Sequence, residues 1–137
     1  MIAAIPLTVV PLILFNILGF AYGGSPWDNA VFGLTLGSGS QWTLRLGDLM
    51  VVLAIVMLFF ELLKAARAAP STVTNHLVST LVFIVYLLEF VLADVAANSV
   101  FFVLTVIALF DVAAGFSISI RTATRDIAVG PPLDGPA

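Results

Sequence analysis

Apolar residues run almost unbroken through four stretches of this chain, at 2–22, 46–66, 77–97 and 99–120, and the polar residues gather between them. Each stretch is close to the ~20 residues that an α-helix needs to cross about 30 Å of hydrocarbon. The pattern predicts an all-α membrane protein: a bundle of four transmembrane helices forming one domain over residues 1–126. The first stretch reads as a retained helix, not a secretory signal. No Lys or Arg precedes it, its apolar run is longer than an ordinary signal core, and Phe20-Ala21-Tyr22 is a poor cleavage site. Pro11 removes the backbone bond to Leu7 and predicts a kink, with Thr8 able to help satisfy the freed carbonyl. Pro70 ends the second helix, and Thr74 or Asn75 can cap the third. The short connection Ala97-Asn98-Ser99 between the last two stretches predicts an antiparallel helix pair.

The pattern changes period between the first two stretches. Phe32, Leu34 and Leu36 alternate with Gly33 and Thr35; after Gly37-Ser38-Gly39-Ser40, Trp42, Leu44 and Leu46 alternate with Gln41, Thr43 and Arg45. Alternation on both sides of a Gly/Ser turn predicts a β-hairpin over about 30–46. An isolated two-stranded hairpin is marginal, so its apolar face is expected on the membrane surface or over the helix ends. Trp27 and Trp42 are expected as interfacial anchors at headgroup level. The Gly- and Pro-containing segment 127–137 reads as a flexible tail.

Composition fixes the solvent. The 137 residues are 61% hydrophobic and 9% charged, with a mean hydropathy of +1.18, so the lipid bilayer is the first expected partner. Lys64 and Arg67 follow the second stretch, and Arg121 and Arg125 follow the fourth; Arg45 alone lies on the other side. The positive-inside rule then puts the 64–75 loop, the C-terminus and the N-terminus in the cytoplasm, with the hairpin in the periplasm. There is no cysteine and a single histidine, His76, expected as a cap or headgroup contact; no metal site and no cofactor are expected. A net charge of −3 without a basic tract argues against nucleic acid. No nucleophile elbow, His-Glu-x-x-His or phosphate loop is present, and Asp94 and Asp111 differ in depth by more than a helical turn. The chain is expected not to be an enzyme.

What remains is three carboxylates inside apolar stretches: Glu61, Glu89 and Asp111. Such groups are costly in hydrocarbon unless neutralised or paired. Span positions put Asp111 about 2 Å from the midplane, Glu89 roughly 4 Å to the outer side and Glu61 about 6 Å to the inner side. Asn16 lies near the depth of Glu89, and Asp94 near the outer interface. Gly47, Ala54 and Glu61 recur every seven residues, while Ala108, Asp111, Gly115 and Ser119 share a face. Small residues mark helix–helix contacts, so these carboxylates should point inward. Tyr86 stands one turn from Glu89, and Lys64 three residues from Glu61. Three uses are open: interhelical bonding to Tyr86, Ser79, Thr80, Thr105 or Asn16; a proton or cation path at staggered depths; or contact with a partner's helix.

The segments Gly47-Asp48-Leu49, Phe59-Phe60-Glu61-Leu62-Leu63-Lys64-Ala65, His76-Leu77-Val78-Ser79-Thr80-Leu81-Val82-Phe83, Glu89-Phe90 and 111–120 resemble a group of small inner-membrane proteins of alphaproteobacteria. The resemblance covers about half the chain, mainly its last three helices. It implies a bacterial inner membrane and the same four-span plan, and brings no activity. The resulting expectation is a non-enzymatic accessory or scaffold component of a membrane assembly, or a homo-oligomer. The alternative is a small proton- or cation-coupled transporter or channel using the buried carboxylates.

Overall fold

A computed structural model describes residues 5–67 and 73–128. Three helices are long and apolar enough to cross a membrane: α2 (Leu46–Arg67), α3 (Val73–Leu92) and α4 (Ser99–Ala128). Their outward faces are apolar, as at Val52, Phe59, Leu81, Leu88 and Phe110, which are all at least half exposed. That is the pattern of surfaces meant for lipid.

The first helix, α1, differs from the expected 2–22 span. It covers only Val9–Ala21, 13 residues, or ~20 Å, short of the hydrocarbon thickness. The prolines explain its start. Val9 and Val10 donate their amides to the Pro6 and Leu7 carbonyls at 3.1 and 3.0 Å, forming turns before regular helix begins. Pro11 then falls in the first helical turn, where its missing amide would have had no intrahelical partner. The expected kink at Pro11 is therefore not needed.

The other boundaries shift too. The third helix ends at Leu92, not Ala97, because Ala93 is extended (φ −108°, ψ 123°) and Asp94–Ala96 forms a 3₁₀ turn. Asn98 closes the connection: its Oδ1 accepts the Phe101 amide at 3.0 Å, capping α4, and its Nδ2 donates to the Val95 carbonyl at 2.9 Å. Thr74 and Asn75 lie inside the first turn of α3, not at its cap. Helix α4 continues through Ile127 and Ala128, so those two residues are helical; the rest of the expected tail, and the Pro70 helix stop, lie outside the described residues.

Strands β1 (Ala30–Thr35) and β2 (Gln41–Arg45) form the expected antiparallel hairpin, with Phe32 opposite Leu44 and Leu34 opposite Trp42. Gly39 takes φ +84°, and its amide bonds to the Leu36 carbonyl at 2.9 Å, the left-handed position that closes a three-residue hairpin loop. Strand β2 passes into α2 with no intervening residue. The Asp48 carboxylate accepts the Arg45 amide at 2.8 Å, and the Leu46 amide reaches the Asn29 carbonyl at 3.0 Å. The first of these is the N3 half of a capping box. The apolar face is not packed over the helix ends: Phe32, Leu34, Leu36 and Trp42 are all exposed.

Helix α4 is the hub, packed along both α2 and α3, and α1 lies against α2, α4 and the Asp94–Ala96 turn. The stripe Gly47, Ala54, Glu61 is buried as the seven-residue spacing required. A Cβ at Gly47 would stand 2.6 Å from Val100 Cγ2 and 3.1 Å from the Trp27 carbonyl oxygen, so the helices meet there because the residue is glycine. Trp27 corrects its expected role. It is 3% exposed and stacks on Phe15 with ring centroids 4.1 Å apart, so it is a core residue of the fold. Phe101 also meets Phe15 edge-on, with ring centroids 4.7 Å apart.

Candidate intramembrane polar site

The site is built where α1 begins. Thr8 occupies the N-cap position of α1 but makes no capping bond to its own helix. Its hydroxyl instead donates to Asp111 Oδ2 on α4 at 2.9 Å. The Leu7 amide, one residue earlier, donates to Glu61 Oε2 on α2 at 2.9 Å. Lys64 joins the same oxygen at 2.8 Å and also donates to the Ile5 carbonyl at 3.2 Å. From α3, the Tyr86 hydroxyl donates to the Thr8 carbonyl at 2.8 Å, and Ser79 lies near Asp111. Three helices thus hold the entry to the fourth through hydrogen bonds.

Burial makes these contacts matter. Thr8, Glu61, Ser79, Tyr86 and Asp111 are all under a tenth exposed, so a lost partner there cannot be replaced by bulk water. The electrostatics agree with the placement. The start of a helix carries partial positive charge, and carboxylates beside it are favoured. The ammonium of Lys64 supplies the formal counter-charge to Glu61. Glu61 sits ~22 Å along α2 from the hairpin end and Asp111 ~18 Å along α4. These levels are close enough for both to reach the adjacent residues Leu7 and Thr8 just before α1.

Glu89 and Asn16 form a second, separate feature. Asn16 on α1 faces Glu89 on α3, while its Nδ2 donates to the Leu12 carbonyl at 3.1 Å. Glu89 Oε1 is sealed from the surroundings and has no hydrogen-bond partner. Both residues remain partly exposed.

The remaining predicted residues fall outside these groups. Asp94 is exposed in the 3₁₀ turn at the hairpin end; Arg67, Arg121 and Arg125 are exposed at the opposite end, and Trp42 lies on the hairpin. His76 neither caps a helix nor turns outward. It bonds to Ser119 and stacks on Phe116, and a Cβ at Gly115 would lie 2.8 Å from its Nδ1. It is a link between α3 and α4. Thr80 and Thr105 donate back to the carbonyls of His76 and Phe101 on their own helices, and do not serve the carboxylates.

Sequence reasoning undervalued Thr8, which joins Asp111 to Tyr86. Its position between Pro6 and Pro11 was the available clue, since two prolines leave backbone groups there for other partners. Among the described residues no group of three or more His, Cys, Asp or Glu side chains could hold a metal ion. No known protein family, curated protein or solved structure matches this chain.

Proposed function

We propose that the protein is a non-enzymatic component of a membrane assembly, working by association within the bilayer of a bacterial inner membrane. The inner-membrane placement rests on the resemblance of its last three helices, and the cytoplasmic termini on the basic residues beyond α2 and α4. The observation that carries the reading is the division of polar groups in the apolar region. Glu61 and Asp111 have their partners within the chain and clasp the start of α1. Asn16 and Glu89 are left partly exposed, while the unpaired Glu89 Oε1 is itself sealed within the chain. A polar group open to hydrocarbon costs several kcal/mol (about 2–7 for a neutral group), and burial against another helix removes most of that penalty. The test is the mass of the intact protein released from lipid nanodiscs or mild detergent. Oligomers or a reproducible complex are expected, and a strictly monomeric species across lipids and dilutions refutes the reading.

A second reading, proton or cation movement, is favoured by one observation: Glu61 and Asp111 converge on adjacent residues, and Tyr86 continues the line toward Glu89. The line breaks chemically at Thr8. Its hydroxyl serves Asp111, whereas Tyr86 bonds to its carbonyl, which accepts a hydrogen bond but has no proton to pass on. Assembly is therefore the preferred function. Proteoliposomes under a pH gradient separate the two, because flux lost in a Glu61→Gln, Asp111→Asn, Glu89→Gln variant would reverse the preference.

A further inference from the structure

We propose that a cavity at the hairpin end of α1 binds the primary ammonium of a phospholipid head, the chemistry of phosphatidylethanolamine. The proposal is independent of the assembly reading above.

The cavity holds about 490 Å³, within the ~300–1,000 Å³ of small-molecule sites. It forms where three elements end or begin. Gly19 and Phe20 lie in the last turn of α1, Asp94 and Val95 in the 3₁₀ turn after α3, and Asn98 caps α4. The ends of apolar helices mark the edge of the hydrocarbon, so the cavity lies at headgroup level. Its shape follows from the backbone. A Cβ at Gly19 would stand 2.7 Å from Val95 Cγ2, so glycine lets α1 close against the turn. Gly23, at φ +62°, leads the chain off the helix end. Gly24 differs from both. Its backbone is not left-handed, and a Cβ there would meet nothing within 4 Å. The fold does not require glycine at that position, and its missing side chain leaves open space bordering the cavity.

Charge and hydrogen bonding select the ligand. Asp94 is exposed and forms no ion pair among the described residues. Arg45 is the one Lys or Arg at this end, and Asp28 holds it at 3.0 Å. The C-terminus of α1 adds partial negative charge. The Tyr22 and Gly23 amides bond to the Leu18 and Phe20 carbonyls, so the Gly19 carbonyl has no amide partner. Ser25 supplies a hydroxyl. An ammonium has three N–H donors and no acceptor, which suits a carboxylate, a carbonyl and a hydroxyl. An isolated anion would be repelled, and a trimethylammonium has no N–H to donate.

Continuity with the lipid-facing surface selects a lipid over a free amine. Ile13, Ile17 and Phe20 are each more than half exposed and, at spacings of four and three, form one stripe along α1. Phe20 also lines the cavity. The stripe therefore offers an acyl chain an apolar surface directly beneath the head site.

The test adds defined lipids to the delipidated full chain in mild detergent and reads bound lipid by native mass measurement. Phosphatidylethanolamine should bind about 3- to 10-fold tighter than phosphatidylcholine of the same acyl chains. Asp94→Asn and Gly24→Val should each abolish that preference. Asp28→Asn, which removes the same charge from the same end but outside the cavity, should keep it. Far-UV circular dichroism and Trp27 emission in a Trp42→Phe background identify any variant that fails to fold; if Gly24→Val does, Asp94→Asn against Asp28→Asn carries the comparison. Equal binding of the two lipids overturns the proposal. So does a preference that survives in Asp94→Asn, which places the lipid elsewhere, or one lost equally in Asp28→Asn, which makes the effect diffuse charge. If soluble glycerophosphoethanolamine displaces the lipid at equal concentration, the cavity is an amine site without a lipid, and the proposal fails on its source.

Discussion

Thr8→Val is the sharpest probe of the clasp at the start of α1. The change is nearly isosteric and removes one thing, the hydroxyl that donates to Asp111 at 2.9 Å. Thr8 and Asp111 are 2% and 3% exposed, so water cannot take the vacated place. Orphaning a buried partner costs about 1–3 kcal/mol, whereas interhelical bonds in membrane proteins average about 0.6 and reach about 1.7. Ser79 stands near Asp111 and can take up the freed oxygen, which favours the lower part of the combined range, about 1–1.5 kcal/mol. Thr8→Ser keeps the donor and loses a methyl group, so it should cost under about 1 kcal/mol. Tyr86→Phe should also cost less than Thr8→Val, about 0.5–1 kcal/mol, because the Thr8 carbonyl already serves as the first acceptor of α1 and Tyr86 fills only its second lone pair. Reversible unfolding in mixed micelles, titrated with a denaturing detergent, measures all three variants. A Thr8→Val cost no greater than that of Thr8→Ser would show that the hydroxyl does not secure α1, and the clasp would have to be abandoned.

Other consequences are as easily checked. Gly47→Ala places a methyl against Val100 and the Trp27 backbone and should destabilise the fold by about 1–3 kcal/mol in the same titration. With Trp42→Phe, the remaining Trp27 should emit at shorter wavelength and resist acrylamide; with Trp27→Phe, the remaining Trp42 should be quenched readily, matching exposures of 3% and 43%. Gly115→Ala should displace the His76 ring from Ser119, visible as a shift of the imidazole resonances, at a cost of about 1–3 kcal/mol. Asp48→Ala should loosen the junction of β2 and α2 by about 1 kcal/mol, read as faster hydrogen exchange at Arg45.

Much of the fold was legible because periodicity reports directly on burial. The hairpin register follows from Phe32, Leu34, Trp42 and Leu44, and the packing face of α2 from the seven-residue spacing of Gly47, Ala54 and Glu61. Boundaries were less legible. Apolar composition continues past Leu92 and begins before Val9, while the backbone there is set by the Ala93 conformation, the Asn98 cap and two prolines. Hydropathy sees none of these. Trp27 was misplaced because a tryptophan near a span end is compatible with an interfacial anchor and with a core residue; stacking on Phe15 needs the fold to bring α1 beneath it. Depth counting separated Glu61 from Asp111, but it could not show that residues 7 and 8 present an amide and a hydroxyl side by side to receive both.

The direct passage of β2 into α2 has a mechanical consequence. Asp48, Asn29 and the close approach at Gly47 fasten the base of the hairpin to the helix end, with no linker residue to absorb a turn. The hairpin is therefore a lever attached to α2. Its strands put the tip about 20 Å from that base, so a rigid 10° rotation of α2 about an axis perpendicular to the hairpin sweeps the tip through roughly 3–4 Å. A label near Ser38 would therefore register reorientation of α2 as an amplified displacement.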